Sequence, residues 1–407
     1  MSNESILSVG NLFVMQIFYD VDTDLLELFR ESEITDEKKT ESADATIKNQ
    51  DDRVPALFAA APAHVIRDRL DIMGFTMSTV QEAFASGIEL LRTSGSMDEL
   101  LTGYSFSKWQ SLLAEYRNFD STHDDNQLSE LALAFLCHTE TNRGFPQVDP
   151  RYHLRAVIES ASPEELVEYD FTDLRRGGLL ESIEANAAAP YVRIDRSVLP
   201  CTPDLKMLVL TEGSSDARIL DAALGLFYPH LKEFVSFMDF GASRAAGGAT
   251  ALVTTLKTFG AARIAHRAVA VFDNDAAASD ALRSMRLASL PDNLRWMQLP
   301  AIEFAASYPA ISPSGRREMV DVNGMAGGIE IYFGPSVLRS IDGELPAVRW
   351  SGYVDGVKKY QGEIVGKERY HEHFFAEISR LQTEGTRRHD NLRDMRLVVD
   401  TLLGTFR

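Results

Sequence analysis

The sequence predicts an α/β protein, with a Rossmann-like parallel sheet in its C-terminal part and an α+β, mainly helical domain in front of it. Met207–Thr211 is a short apolar run typical of a buried strand, and an amphipathic helix reaching about Phe227 follows it. Further along the chain, Ala268–Phe272 begins the same order of strand, polar residues and helix. Strands that alternate with helices indicate a parallel sheet, whereas residues 53–92 show mostly helical spacing.

Acidic residues follow both of these predicted strands. Glu212 comes directly after the first strand, and Asp273 and Asp275 come directly after the second. In a parallel sheet the carboxyl ends of the strands line one crevice, and ligands bind there. We therefore expect the three carboxylates to converge, although they are distant in sequence.

Three converging carboxylates predict a bound cation. Without one, each carboxylate would raise the pKa of the next, because neighbouring negative charges disfavour ionisation. Hard oxygen ligands select Mg²⁺ or Mn²⁺ over softer metals. Gly213 is expected to let the backbone turn sharply beside Glu212 and leave that carboxylate open to a bulky phosphodiester.

Glu212-Gly213 after one strand and Asp273-Asn274-Asp275 after a later strand resemble the Toprim domain. This is the catalytic module of topoisomerases, bacterial-type primases and OLD-family nucleases. The resemblance implies that Glu212 binds metal or transfers a proton, and that Asp273 and Asp275 are metal ligands. The ordinary structural interpretation is that these acidic residues cap helices on a Rossmann-like sheet, since aspartate is favoured at helix N-termini.

The resemblance extends over most of the chain, to the HEPN/Toprim-associated family. In that family the N-terminal domain precedes either a HEPN ribonuclease domain or a Toprim domain, in bacterial proteins tied to defence against phage. The resemblance implies a HEPN/Toprim-associated domain over residues 1–200, a Toprim catalytic domain over 201–340 and a helical C-terminal extension over 341–407. The segments that carry it are Ser8-Val9-Gly10-Asn11-Leu12, Phe29-Arg30-Glu31-Ser32-Glu33, Tyr169-Asp170-Phe171-Thr172-Asp173-Leu174, Gly247-Gly248-Ala249-Thr250 and Val322-Asn323-Gly324.

OLD-type nucleases imply further site residues, including a second metal ion. Asp216 lies one helical turn after Glu212, although it could equally complement the helix dipole. Glu330 lies in an apolar run, where a carboxylate binds metal or is a paired structural acid. Two ions about 3.5–4 Å apart would clamp the attacking and leaving oxygens. Lys367 matches the cation that stabilises developing negative charge, or is a solvated lysine at a helix start.

Other enzyme classes fit the sequence less well. Residues 362–367 lack the glycine spacing and the Ser or Thr of a P-loop, so no ATPase domain is expected. The stretch from Arg117 to His123 fits the loose HEPN ribonuclease pattern and stays as a minor alternative. His371 and His373 are two residues apart and should point to different faces of a helix, which argues against a zinc site. A phosphatase-type hydrolase with Asp273 as nucleophile would instead form an aspartyl-phosphate.

Composition limits the partners and the compartment. The 407 residues carry a net charge of −19, so nucleic-acid binding must depend on local basic groups and metal. Cys137 and Cys201 are far apart and predict neither a zinc site nor a disulfide framework. We expect a cytoplasmic protein without a signal peptide or membrane segment.

The resulting hypothesis is a Mg²⁺-dependent nuclease that cleaves DNA or RNA in antiphage defence. The alternative is a non-catalytic Toprim scaffold or a sensor subunit of a defence complex. The sequence is compatible with a homodimer and with binding to a partner defence protein, and it does not decide between them.

Overall fold

A computed structural model describes residues 3–36, 56–93, 104–117, 149–180, 206–238, 247–286, 289–312, 314–385 and 389–406. Cys137, Cys201 and His123 lie outside these ranges. The chain divides into two compact units, Met1–Pro200 and Cys201–Arg407. Their strands and helices confirm the mixed α/β class.

The N-terminal unit contains a five-stranded antiparallel sheet in the order β2-β1-β5-β4-β3. The first two strands form a hairpin whose turn contains Gly10, with a φ of +57°. Alternate residues of β1 and β4 are buried, so one face of the sheet packs on the core. The elements are β1 Glu4–Val9, β2 Leu12–Phe18, α1 Thr23–Leu26, β3 Ile34–Asp36, β4 Leu57–Pro62, α2 Ala63–Met73, α3 Met77–Thr93, α4 Phe106–Arg117, α5 Pro150–Ile158, β5 Leu166–Asp170 and α6 Thr172–Arg176.

The C-terminal unit is built on a parallel four-stranded sheet in the order β10-β8-β6-β7. All five residues of β8 are buried, as expected for a strand covered on both faces. The first elements are β6 Met207–Thr211, α7 Ser214–Phe227, β7 Val235–Phe237, α8 Ala249–Ala261, β8 Ala268–Phe272, β9 Asn274–Asp275, α9 Ala276–Leu282 and β10 Leu294–Gln298. Both strands on which the sequence prediction rests are therefore present with the predicted bounds.

The connections that leave β6 and β8 run towards opposite edges of the sheet. From β6 the chain continues to β7 on one side of the sheet, and from β8 it continues to β10 on the other side. The crevice outside the carboxyl ends of β6 and β8 is thus a topological switch point, which is where open α/β sheets bind ligands. Glu212 follows β6 and Asp273 follows β8, so both residues lie at this crevice.

A second, mixed sheet has the order β12-β11-β14-β15, and a two-residue ladder joins β13 to β9. The helical extension predicted from residue 341 was wrong as far as Gly366, because β14 and β15 form an antiparallel hairpin. Its turn is made by Gly356 and by Lys358, whose φ is +57°. The remaining elements are β11 Tyr308–Ile311, β12 Arg317–Val320, β13 Ala326–Gly327, α10 Pro335–Leu338, β14 Val348–Val354, β15 Lys359–Ile364, α11 Lys367–Glu384 and α12 Arg393–Gly404.

The last two helices agree with the later part of the predicted helical extension, and both pack against α7. Their buried positions recur at helical spacing, for example Tyr370, Phe374 and Ile378 in α11. Across the described ranges, none of the helices combines the length and apolar character that crossing a membrane requires.

Candidate active site

Glu212 is held by two segments that are remote in sequence. The main-chain N–H of Asp273 donates a hydrogen bond to its Oε1 over 3.0 Å. The N–H of Gly248 donates to its main-chain oxygen over 2.9 Å, and a Cβ at Gly247 would lie only 2.9 Å from that oxygen. The loop at Gly247-Gly248 therefore needs its first glycine in order to approach Glu212. In the sequence these glycines carry only a family resemblance, and nothing in the local pattern indicates their contact with Glu212.

The environment of Glu212 favours its protonated form. Burial is the largest cause, and together with the charges of Asp275 and Asp216 it raises the pKa to about 7. Hydrogen bonds from the main-chain N–H groups of Asp273 and Ala249 act in the opposite direction. Glu212 can therefore exchange a proton near neutral pH when no cation is bound.

Gly213 has a different role from the one we expected. The backbone bends at Glu212 and Gly213, but the φ of Gly213 is −144°, an extended value that does not itself require glycine. A Cβ at this position would instead lie 3.4 Å from Oδ2 of Asp216. The glycine therefore keeps the space beside the Asp216 carboxylate open.

Asp216 lies in the first turn of α7, half-buried, next to acidic and basic groups from other elements. Burial raises its pKa to about 6, and the negative charge of Glu330 adds to this shift. The Ser215 hydroxyl, which donates to Asp216 over 3.2 Å, and the Lys367 ammonium act against it. Asp216 thus faces the same space as Glu330 and Lys367, in addition to lying at a helix N-terminus.

Asp273 is the carboxylate at the centre of this cluster. Burial raises its pKa well above the usual value, and the charges of Glu212, Asp216, Asp275 and Glu330 raise it further. Its side chain accepts no hydrogen bond from the residues that the structure describes. We therefore expect a bound cation to stabilise the ionised form of Asp273 more than that of the other carboxylates.

Asp275 has both carboxylate oxygens engaged. Oδ1 accepts from the N–H of Ala278 over 2.7 Å, which makes Asp275 the N-cap of α9. Oδ2 accepts from Nε2 of Gln361 in β15 over 2.6 Å, and Oε1 of Gln361 accepts from the N–H of Ala277 over 2.8 Å. The helix-cap interpretation thus describes Asp275, and it does not describe Asp273.

Glu330 is 8% exposed and lies in a short 3₁₀ helix, Ile329–Phe333. Its Oε1 is 2.8 Å from Nε2 of His371 in α11. Burial alone would raise its pKa, but the hydrogen bond with His371 and the charge of Lys367 outweigh burial and hold the pKa below the usual range. A Cβ at Gly328 would lie 2.9 Å from Oε2 of Glu330 and 4.0 Å from Oδ2 of Asp273. The absence of a side chain at Gly328 leaves space between these two carboxylates.

His371 is a site residue that the sequence analysis did not identify. From the sequence, His371 stands out only beside His373, as a pair whose spacing argues against a zinc site. On α11, His371 reaches Glu330, whereas His373 is exposed and contacts the ring of Tyr370. The pairing of His371 with Glu330 joins residues from different elements, so no local sequence pattern could have indicated it.

Lys367 opens α11 and is half-buried. Its Nζ lies 3.7 Å from Oε2 of the exposed Glu363. Burial lowers the pKa of the ammonium group, but the charges of Glu330, Glu363, Asp216 and Asp273 outweigh it and raise that pKa. Lys367 therefore acts on Glu330, Asp216 and Asp273 through space, and its ion pair among the described residues is with Glu363.

The donor chemistry of the cluster fits a hard divalent cation. Glu212, Asp216, Asp273 and Glu330 are all carboxylates, and glycines leave space beside two of them. Within the described ranges, no group of three or more histidine, cysteine, aspartate or glutamate side chains is close enough to hold a metal ion as it stands. A cation would therefore have to draw these carboxylates closer together.

Comparison with known proteins adds one finding. Residues 1–193 match the family model of the HEPN/Toprim N-terminal domain 1. The match covers most of the N-terminal unit of the chain. The matched range contains β1 to β5 and the helices between them. No curated protein and no solved structure matches the chain.

Within the matched range, the structure describes Arg117, the first residue of the HEPN-like pattern Arg117 to His123. Nη1 of Arg117 lies 3.0 Å from Oε2 of Glu165, and both side chains are largely buried. His123 lies outside the described residues. Arg117 is thus engaged in an ion pair, which is a structural role.

Proposed function

We propose that the C-terminal unit is a metal-dependent nuclease whose active site is the carboxylate cluster at the β6–β8 switch point. The observation that carries this proposal is the position of Glu212 and Asp273 at adjacent strand ends, with Asp216, Glu330 and Lys367 in electrostatic contact with them. Carboxylates with strongly raised pKa values in a cleft are characteristic of functional sites. The same cluster would be unfavourable for folding unless it served a ligand.

In this proposal Glu212, Asp216, Asp273 and Glu330 would hold one or two Mg²⁺ or Mn²⁺ ions. A bound ion would supply Lewis-acid stabilisation and lower the pKa of water, as metal ions do in phosphodiester hydrolysis. Glu212 is suited to accept or return a proton, because its pKa is near neutrality before any cation binds. Lys367 would stabilise negative charge that develops on the phosphate.

The family match supports the proposal. The family is named for an N-terminal domain that accompanies HEPN or Toprim domains, and the chain beyond residue 193 contains the Toprim pattern of Glu212-Gly213 and Asp273-Asn274-Asp275. From the resemblance described above, we further propose that the substrate is DNA or RNA and that the biological setting is antiphage defence. A protein with net charge −19 would then depend on the cation for phosphate binding.

The test is cleavage of plasmid DNA, single-stranded DNA and total RNA by the purified full chain. Reactions contain Mg²⁺, Mn²⁺ or a chelator, and Glu212→Gln and Asp292→Asn are assayed in parallel. Asp292 is a fully exposed acid in the same unit and serves as the matched control. The proposal predicts cleavage that needs the cation, falls on the order of 100-fold or more in Glu212→Gln and persists in Asp292→Asn. Cleavage that is equal in all three proteins would refute it.

A second candidate function is a scaffold or sensor without catalysis. It is favoured by Asp275, whose two carboxylate oxygens each accept a hydrogen bond, from Ala278 and from Gln361, and so already have a structural role. A folded protein that binds neither Mg²⁺ nor Mn²⁺ and cuts no substrate would support this function over the nuclease.

A further inference from the structure

The β14–β15 hairpin carries three aromatic rings in a row. Tyr353 and Tyr360 are directly opposite each other across the two strands, with ring centroids 5.2 Å apart. The ring of Trp350 lies 5.9 Å from that of Tyr360. We call Trp350, Tyr360 and Tyr353 the aromatic row.

The tyrosines of the aromatic row are exposed, and contacts between neighbouring rings hold the row in place. Tyr353 is 52% exposed and Tyr360 is 50% exposed. Trp350 is half-buried, and a Cβ at the opposite residue, Gly362, would lie 2.9 Å from its Cε3. Gly362 therefore lets the indole lie against β15. Large exposed aromatic rings that are held in place by neighbouring rings are typical of binding surfaces.

The same hairpin is connected to the candidate active site. Gln361, next to Tyr360, donates to Oδ2 of Asp275 and accepts from the N–H of Ala277. Lys359, the other neighbour of Tyr360, extends towards the Asp273–Asp275 loop. A Cβ at Gly324 would lie 2.6 Å from Nζ of Lys359, and the Gly324 N–H donates to the main-chain oxygen of Asn274 over 2.9 Å.

The charge of the hairpin differs from that of the chain as a whole. Acidic residues outnumber basic ones by 60 to 41 in the full sequence, but three of the five charged residues between 348 and 364 are basic. These are Arg349, Lys358 and Lys359, all of them exposed. Lys358 forms an ion pair with Asp355, whereas Arg349 and Lys359 have no ion pair within the described ranges. The hairpin therefore offers aromatic rings and positive charge together, at the edge of an acidic cluster.

We propose that the aromatic row is the binding surface for unpaired bases of a single-stranded nucleic acid, and that Lys359 contacts its phosphate backbone beside the crevice. This inference rests on the proposed nuclease function and specifies its substrate class. Bases stack on aromatic side chains in single-strand-binding proteins, and lysine or arginine follows the backbone. Bases in a duplex are already stacked and paired, so the row has no comparable surface to bind there.

The test is the affinity of the full chain, carrying Glu212→Gln to prevent cleavage, for fluorescein-labelled oligothymidylate, oligouridylate and a DNA duplex in Mg²⁺. The double substitution Tyr353→Ala/Tyr360→Ala should weaken binding to both single strands by about 10- to 100-fold and change duplex binding by less than about twofold. Tyr353→Phe/Tyr360→Phe should retain the affinity, because stacking needs only the ring. Tyr19→Ala, which removes a ring 71% exposed in the N-terminal unit, is the matched control and should have no effect.

Two further measurements complete the test. Lys359→Ala should weaken binding to DNA and RNA strands alike and reduce the slope of log affinity against log salt by about one. Binding of the unlabelled strand should quench the fluorescence of Trp350, and Trp350→Phe should remove that quenching.

The proposal would be overturned if the alanine double variant, shown to be folded by circular dichroism, bound single strands as tightly as its parent. It would also be overturned if single-strand and duplex affinities fell equally, or if light scattering showed that the tyrosines hold two copies of the chain together. These outcomes are separate from the nuclease proposal. If single-strand binding depends on the tyrosines but the wild-type chain cuts no substrate, only the nuclease proposal is refuted. If the chain cuts nucleic acid but single-strand binding does not depend on the tyrosines, only the stacking surface is refuted.

Discussion

The main-chain N–H of Asp273 donates a hydrogen bond to Oε1 of Glu212 over 3.0 Å, and this bond joins the carboxyl ends of two adjacent parallel strands. A main-chain donor is fixed by the sheet, so the Glu212 carboxylate is held at the switch point between β6 and β8. The bond also places the side chain of Asp273 in the same cluster. Glu212 and Asp273, which two helices and two strands separate in the sequence, thus act on each other's ionisation.

The first prediction concerns stability in the absence of a divalent cation. The folded state raises the pKa of Glu212 from 4.5 to about 7, so between these values it binds more protons than the unfolded state. The contribution of Glu212 to the free energy of unfolding must therefore fall as pH rises through this window. Glu212→Gln removes that loss, and we expect it to stabilise the chelated protein by on the order of 1–3 kcal/mol at pH 8.

At pH 4.5 the same substitution should have little effect, because Glu212 is then protonated in the folded protein. The pKa of Glu330 is shifted in the opposite direction, so its contribution is lost as pH falls, and only the difference between variant and wild type is informative. The measurement is thermal or urea unfolding at both pH values in a chelator. A variant that is destabilised equally at pH 4.5 and pH 8 would contradict this prediction.

The second prediction concerns His371. Its hydrogen bond fixes the buried carboxylate of Glu330, and partners of this kind commonly change metal affinity by about 10- to 100-fold. We expect His371→Ala to weaken Mn²⁺ binding by about that factor, as measured by calorimetric titration, and His371→Gln to restore part of it. His373→Ala on the same helix is the matched control, and equal effects of both alanine substitutions would argue against a specific role for His371.

The third prediction concerns Lys367. Because its ammonium group experiences the charges of Glu330, Asp216 and Asp273, its removal should leave the cluster more negative. We expect Lys367→Ala to reduce the rate constant for cleavage about 100-fold while the protein still binds Mn²⁺. The control Lys257→Ala, which replaces a partly buried lysine on α8, should cleave normally. Normal cleavage by Lys367→Ala would contradict this prediction and favour the interpretation of Lys367 as a solvated lysine at a helix start.

The fourth prediction concerns Gly247. A Cβ here would lie 2.9 Å from the main-chain oxygen of Glu212, so Gly247→Ala must displace the loop or the Glu212 backbone. We expect a lower melting temperature and impaired metal binding. In the interior of α7, the nearest atom to a Cβ at Gly225 is a Lys232 side-chain carbon 3.7 Å away, so Gly225→Ala should stabilise the protein by about 0.5–1 kcal/mol. A Gly247→Ala variant as stable as Gly225→Ala would show that the loop does not need its glycine.

The sequence was sufficient to predict the parallel sheet and the positions of its acidic residues. Continuous apolar strands such as β8 are recognisable because both faces are buried, and the chain order places their carboxyl ends together. Glu212 and Asp273 could be paired from this rule alone. The hairpin at β14–β15 was missed, because its residues are mostly exposed and provide no apolar run from which a strand could be identified.

The contacts between distant elements could not be predicted. His371 meets Glu330 and Gln361 meets Asp275 only because α11 and β15 pack beside the parallel sheet. A sequence pattern reports the spacing within an element, and it contains no information on which side chains two elements bring together. For the same reason the sequence allowed Asp275 to be either a ligand or a helix cap, and the hydrogen bonds to both of its oxygens were needed to show the cap.

The most direct measurement is titration of Mn²⁺ into the full chain, followed by the paramagnetic resonance of the free ion. We predict that the wild-type chain binds Mn²⁺, that Asp273→Asn weakens binding by about tenfold or more, and that the exposed control Asp292→Asn binds like the wild type. Binding that Asp273→Asn leaves unchanged would place the cation elsewhere and contradict a metal site at the ends of β6 and β8.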